Sequence, residues 1–218
     1  MDELNFSQNN DTSLISRETE ANSINTSSSE NKCQISVIDE NKIIKAIISN
    51  LNDIIEENRK RINRKYISKD NLFYLEKLPN ISLGDYIIYL TKSNNINIST
   101  LILAVIYLDK FCEKFKYVLT MHNIYRIILI SIFISIKYNE DLFVNANIYA
   151  QIAGVCIEDL LNLEYNMCVA LEFGFYVKEE LYQQYFIYFT KYSTFWTKKR
   201  KNLDLSETIR IFAPYNNL

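Results

Sequence analysis

The stretch Ile124–Glu140 constrains the fold more than any other part of the chain. It reads IYRIILISIFISIKYNE, and apart from Arg126, Ser131 and Ser135 every residue as far as Ile136 is apolar. A helix that is apolar on all sides is buried on all sides, whereas a membrane span needs roughly 20 apolar residues in succession. We therefore predict that this stretch is a core helix of a soluble protein.

The composition limits the possible classes of function. The chain has 218 residues and a net charge of -2, which argues against nucleic-acid binding because such proteins usually carry a basic patch. With 3 Gly and 2 Pro, there is little material for the tight turns of a β-rich fold. The 4 Cys lack metal-ligand spacing, and the polar start lacks the apolar core of a signal peptide. We predict an intracellular protein of the cytoplasm or nucleus, with free thiols and no membrane partner.

The apolar pattern divides the chain into four segments. Residues 1–38 are rich in Asn, Ser and Thr and have no apolar period, so they cannot offset the entropy cost of ordering and are predicted to be disordered. Residues 39–80 should hold an amphipathic helix and a linker, residues 81–176 a compact helical domain, and residues 177–218 a further helix and a tail. The predicted fold class is all-α.

Helical spacing of apolar residues places the individual elements. The predicted helices are, in chain order, Asp39–Lys65, Ile81–Thr91, Ile98–Phe115, Ile124–Glu140, Asn145–Gly154, Ile157–Leu171 and Glu179–Tyr192. Thr120 is expected to cap the central helix. The third and fourth of these helices are apolar enough to need burial, so the others must surround them.

Residues suited to catalysis are scarce. His122 is the single histidine, which excludes histidine-rich metal cages. Gly84, Gly154 and Gly174 stand alone, so the sequence holds neither a phosphate loop nor a dinucleotide fingerprint. We predict a protein that is not an enzyme and uses no cofactor and no metal.

Lys137 and Glu164 are the informative charged residues. A lysine at the end of a buried helix must reach water, a carboxylate or a partner, and Glu164 lies midway along another apolar helix. If these helices pack side by side, the two charges can meet at an edge of the core. The pair is then either a private salt bridge or a pair held ready for the backbone of another chain, with Phe173 and Phe175 as an apolar rim. The spacing does not decide between these two interpretations.

Five motifs carry a resemblance to a known family. They are ISLGDYIIYL, YLDKF, ISIKYNEDLF, NANIYAQIAGV and LNLEYNMCVALEFGF. Together they resemble a cyclin box, and more narrowly the small single-box P/U-type cyclins of the phosphate-regulatory kind. The resemblance covers about residues 81 to 189 in the order and spacing of that family.

The resemblance implies a five-helix box with flanking helices that binds a cyclin-dependent protein kinase as a heterodimer. Such a protein is not catalytic itself but activates its Ser/Thr kinase, often in the cell cycle, by engaging the kinase's C-helix. Lys137 matches the box lysine and Glu164 the fifth-helix glutamate, which in relatives bind main-chain groups at the start of that helix. The matching positions that usually give apolar contacts are Tyr138, Cys168, Phe173 and Phe175.

The sequence also departs from the family's pattern. The Met-Arg-x-x-Leu-x-x-Trp patch that docks substrate motifs in cell-cycle cyclins is missing. Tyr89 stands where relatives carry Arg, so Asp109 is expected to lack its usual partner, and Lys110 replaces a more usual Arg. Cys156 stands where a capping Ser or Thr is common, which should weaken the start of its helix by ~1 kcal/mol.

Two alternatives to a kinase activator remain at this point. One is a cyclin-fold adaptor or transcription-related scaffold without a kinase partner, against which the acidic charge speaks. The other is a purely structural helical protein in which Lys137 and Glu164 satisfy only each other.

Overall fold

The structure is a computed structural model that describes residues 39–61, 71–115, 117–141 and 144–196. The predicted disordered segment 1–38, the predicted extension of the first helix beyond Arg61 and the tail after Trp196 lie outside the described residues.

The described residues form seven α-helices and no strand, which confirms the predicted all-α class. The helices are α1 (Glu40–Arg61), α2 (Leu83–Ser93), α3 (Ile98–Phe115), α4 (Ile124–Asn139), α5 (Ala146–Ala153), α6 (Ile157–Ala170) and α7 (Glu179–Trp196). Within these residues, no helix combines the length and the apolar character that crossing a membrane requires.

Helix α4 is the centre of the core, as its sequence predicts. Every residue from Ile127 to Ile136 is buried, and α2, α3 and α6 pack around it. The two serines of this helix are paired: the Ser135 hydroxyl donates to the Thr100 carbonyl at 2.7 Å, and the Ser131 hydroxyl lies 3.6 Å from the Met167 sulfur. The two buried hydroxyls of α4 therefore have partners, as burial requires.

The start of α4 differs from the prediction that Thr120 caps it. The helix begins at Ile124, and Asn123 occupies the N-cap position without a capping hydrogen bond from its side chain. The Asn123 amide group instead bonds backwards, accepting from the Thr120 N–H at 2.8 Å and donating to the Val118 carbonyl at 2.9 Å. Three residues of turn separate Thr120 from the helix, and its buried hydroxyl has no hydrogen-bond partner among the described residues.

Cys156 is the N-cap residue of α6, and its thiol is a weaker hydrogen-bond acceptor than a hydroxyl. Its sulfur accepts the Asp159 N–H at 3.4 Å, in the place where a Ser or Thr oxygen would accept a shorter bond. Helix α5 has the stronger arrangement, because the Asn145 side chain accepts from the N–H groups of Asn147 and Ile148.

Helix α7 packs against α1 and α3 and is fixed there by two tyrosines. The Tyr188 hydroxyl accepts from the Asn50 amide at 2.7 Å, and the Tyr185 hydroxyl donates to the Asp109 carboxylate at 2.5 Å. Asp109, which the sequence left without its usual partner, is thus hydrogen-bonded from α7. Burial raises the pKa of Asp109 to about 7, although the hydrogen bond from Tyr185 opposes this and favours the carboxylate.

We predict that the buried Asp109 makes the protein less stable as the pH rises from about 5 to about 7. The folded state holds the Asp109 proton up to a pKa of about 7, whereas the unfolded chain releases it near pH ~4. Protons bound by the folded state alone favour folding at low pH, by up to about 1.4 kcal/mol per pH unit. Urea unfolding of wild type and Asp109→Asn between pH 5 and pH 8 measures this slope.

The Asp109→Asn variant should have the flatter dependence, because Asn still accepts from Tyr185 but does not titrate. Asp141→Asn, at an exposed position, is the matched control and should keep the wild-type slope. Equal slopes in wild type and Asp109→Asn would contradict the prediction.

Candidate functional site

Lys137 lies in the last turn of α4, directly after the buried segment. A cation is favoured there because the helix dipole places partial negative charge at the C-terminal end. Its side chain is 45% exposed and forms an ion pair with Glu164. The ammonium also lies 5.1 Å from the centroid of the Phe133 ring, within the range of a cation–π contact.

Glu164 approaches this lysine from the middle of α6. The inner face of α6 buries Leu160, Leu163 and Met167, and Glu164 is adjacent to that face, at the edge of the core. Its side chain is only 15% exposed, so the carboxylate is much less hydrated than the ammonium it pairs with. The Glu164 carboxylate is therefore largely shielded from water, whereas the Lys137 ammonium is hydrated.

The ion pair leaves hydrogen-bonding capacity unused. The Lys137 ammonium meets one carboxylate oxygen of Glu164, and among the described residues neither side chain makes a second hydrogen bond. An ammonium has three donors and a carboxylate accepts at two oxygens. Both groups can thus bind further polar atoms without leaving each other.

An aromatic cluster lies beside Lys137. Tyr138 follows it in the chain and is 53% exposed. The Tyr138 ring lies 5.6 Å from the ring of Phe175, which in turn meets the Tyr107 ring edge-on at 5.7 Å. Tyr107 is fully buried, so this cluster connects the core to the surface.

Cys168 and Phe173 complete the set of predicted residues. Cys168 lies one turn after Glu164 and is half-buried; burial raises the pKa of its thiol, and the Glu164 charge raises it further, against a smaller opposing effect of Lys137. The thiol is therefore neutral near pH 7 and offers an apolar contact. Phe173 is 64% exposed, and its N–H donates to the Cys168 carbonyl at 2.9 Å.

A continuous chain of neighbours thus joins the six predicted residues across the end of α4, the outer side of α6 and the turn after α6. Lys137 meets Glu164 and directly precedes Tyr138, whose ring meets that of Phe175. The Phe175 N–H donates to the Phe173 carbonyl at 3.1 Å, and the Phe173 N–H donates to the Cys168 carbonyl.

Sequence reasoning missed several exposed apolar neighbours of these residues. Tyr165 and Tyr176 are 66% and 73% exposed, and each follows a predicted residue in the chain. Leu161 and Val169 are also exposed, and with Tyr165 they recur every fourth residue. That spacing is a second apolar stripe on α6 and could have been recognised in the sequence.

The family model described as Cyclin matches residues 6–175, which is most of the chain. The chain belongs to the cyclin family. Since cyclins are regulatory proteins rather than enzymes, this membership indicates a regulatory role.

The individual relatives indicate which type of cyclin the chain resembles. Cyclin-U2-1 of Arabidopsis thaliana is 26% identical over 153 residues, covering 67% of this chain and 69% of the relative. Cyclin-P3-1 of Oryza sativa subsp. japonica is 21% identical over 145 residues, covering 66% of this chain and 61% of the relative. Cyclin-U4-2 of Arabidopsis thaliana is 31% identical over 108 residues, or 49% of this chain and 50% of the relative. The predicted resemblance to P/U-type cyclins is confirmed.

The uneven hydration of the ion pair predicts unequal effects of removing its two members. Lys137→Ala strands a nearly buried carboxylate and should cost about 1–3 kcal/mol of unfolding free energy. Glu164→Ala leaves a lysine that can turn to water and should cost less, on the order of 1 kcal/mol or below. Urea unfolding at pH 7 compares the two variants.

The exposed pair between Arg59 and Glu56 on α1 provides the control, because both side chains are well hydrated and neither alanine variant should change stability much. A larger loss from Glu164→Ala than from Lys137→Ala would show that the lysine is the dehydrated member, contrary to the geometry.

Proposed function

We propose that this cyclin binds a cyclin-dependent protein kinase and activates it allosterically by engaging the kinase's C-helix. The observation that carries the proposal is the Lys137–Glu164 pair, held at the edge of the core with unused hydrogen-bonding capacity beside exposed aromatic side chains.

The pair suits the first turn of a helix in another chain. The first N–H groups of a helix have no partners within it and carry partial positive charge. The second carboxylate oxygen of Glu164 would accept from such an N–H group, and the remaining Lys137 donors would bind a carbonyl of the preceding residues. Because the two side chains already hold each other in place, little side-chain entropy would be lost on binding.

The apolar residues around the pair suit the side of that helix. Phe173 and Tyr138 are large aromatic residues that are more than half exposed, and residues of this type often dominate the energy of protein interfaces. Phe175 and Cys168 are partly buried beside them and would form the floor of the contact. A specific interface of this kind should bury ~1,200–2,000 Å² in total.

Activation would follow from a shift in the conformational equilibrium of the kinase. An active kinase needs the glutamate of its C-helix paired with the lysine that positions ATP. A partner that binds the inward position of the C-helix more tightly than the outward position raises the population of the active state. The cyclin therefore needs no catalytic group of its own.

The test measures binding and activity with purified components. Each cyclin-dependent kinase encoded by the source genome is expressed alone and titrated with wild type and with the Lys137→Ala/Glu164→Ala double variant. We expect one or more kinases to bind wild type and to gain activity on a peptide substrate, and the double variant to lose at least about 30-fold in affinity.

A matched control is Lys92→Ala/Asp85→Asn, which removes one exposed positive and one exposed negative charge from α2; it should bind as wild type does. Circular dichroism verifies that all variants remain helical. If wild type binds none of the kinases, the proposed function is wrong and the adaptor alternative gains. If the double variant binds as well as wild type, the interface lies elsewhere.

A further inference from the structure

We propose that three side chains of α3 act as a clasp that holds the turn after α6 in the shape that presents Phe173 and Phe175 to the kinase. The clasp consists of Tyr107, Lys110 and Lys114, and we refer to residues 172–176 as the anchor turn. This inference rests on the proposed function and adds the residues that position its aromatic contacts.

The anchor turn has an unfavourable backbone conformation. The Glu172 N–H bonds the Val169 carbonyl and the Phe173 N–H bonds the Cys168 carbonyl, which is the hydrogen-bond pattern of a Schellman motif. The motif places Glu172 in the left-handed region, with φ 53°, where glycine is usual, and Phe173 follows at φ 56°. A turn that served only to end α6 would be expected to carry glycine at position 172.

The strained turn directs an aromatic side chain outwards. The residue at the position of Phe173 in such a motif commonly packs back onto the last turn of its helix. Phe173 is instead 64% exposed. Strained backbone persists where the surrounding structure holds it, and it is concentrated in segments that contact ligands.

Burial does not hold the anchor turn in place. Four of its five residues, Glu172, Phe173, Gly174 and Tyr176, are exposed, and only Phe175 is partly buried. Besides the hydrogen bonds within the turn and the end of α6, its order therefore depends on contacts from a neighbouring element.

Helix α3 supplies these contacts from one of its faces. Residues 107, 110 and 114 are spaced by three and four and so point in similar directions from the helix. The Tyr107 hydroxyl donates to the Phe175 carbonyl at 2.8 Å, the Lys110 ammonium donates to the Tyr176 carbonyl at 3.4 Å, and the Lys114 ammonium pairs with the Glu172 carboxylate at 2.5 Å.

The three contacts differ in their surroundings. Tyr107 is fully buried and also packs its ring against Phe175. Lys110 is partly buried, and burial lowers its pKa. Lys114 is hydrated and holds the residue whose backbone is strained. The clasp thus joins the core to the exposed end of the anchor turn.

Tyr107→Phe tests the buried contact, because it removes one hydroxyl and keeps the ring. We expect hydrogen exchange of the backbone amides of residues 173–177 to accelerate in the free protein. Affinity for the purified kinase that binds wild type should fall roughly 10-fold, which corresponds to about 1.4 kcal/mol.

Tyr125→Phe is the matched control for this variant. The Tyr125 hydroxyl also donates to a backbone carbonyl, that of Ile81, at 2.8 Å, but far along the chain from the anchor turn. It should lower stability to a similar extent and leave both exchange at residues 173–177 and kinase affinity unchanged.

Glu172→Gly separates a positioning role from a merely structural one. Glycine adopts the left-handed conformation without strain, so the thermal midpoint should stay the same or rise, while the loss of the contact to Lys114 should lower kinase affinity. If the residue served stability alone, affinity would follow the thermal midpoint. The exchanged pair Lys114→Glu/Glu172→Lys should restore the affinity that Lys114→Ala loses.

The outcomes distinguish this inference from the proposed function. If wild type binds a kinase and Tyr107→Phe and Glu172→Gly bind it equally well, the clasp is wrong and the proposed function stands. Unchanged exchange in Tyr107→Phe would also overturn the clasp. If wild type binds no kinase, the proposed function and the role of the clasp in binding fail together.

Discussion

The burial of α4 on all sides from Ile127 to Ile136 is the constraint on which the rest of the structure depends. A helix without a polar face must be covered on every side, so α2, α3 and α6 are placed around it. The last turn of α4 is exposed to solvent, and Lys137 is the first charged residue in that turn. The surrounding helices therefore fix the position of the ammonium, although the lysine itself contributes little to the packing of the core.

Apolar periodicity predicted the elements well because burial dominates their energies. The bounds of α3 agree with the prediction, and those of α4 differ by one residue. The contact between Lys137 and Glu164 was predicted only for the case that their two helices pack side by side. Sequence spacing carries no information on the angle or register between two helices. Local polar contacts were harder to predict. Asn123, not Thr120, occupies the N-cap position, because its side-chain amide accepts from the Thr120 N–H and stabilises a turn before the helix.

Contacts between residues distant in sequence were beyond prediction for a different reason. Tyr185 lies 76 positions from Asp109, and no motif connects them. The left-handed conformation of Glu172 was also beyond prediction, but for a local reason, because residue preferences favour glycine at such a position. Positions that break a local rule tend to be functional or strained sites. Glu172 lies directly before Phe173, the most exposed of the six predicted contact residues, which agrees with that tendency.

The attachment of α7 has a consequence for where the protein can be shortened. The match to the family model ends at residue 175, before α7 begins at Glu179. A chain cut at that point would uncover the sides of α1 and α3 that α7 occupies and would remove the only side-chain donor that Asp109 has among the described residues. The unit that folds independently is thus expected to extend beyond the end of that match, and expression limits drawn from the match alone would remove the core residues Tyr185, Tyr188 and Phe189.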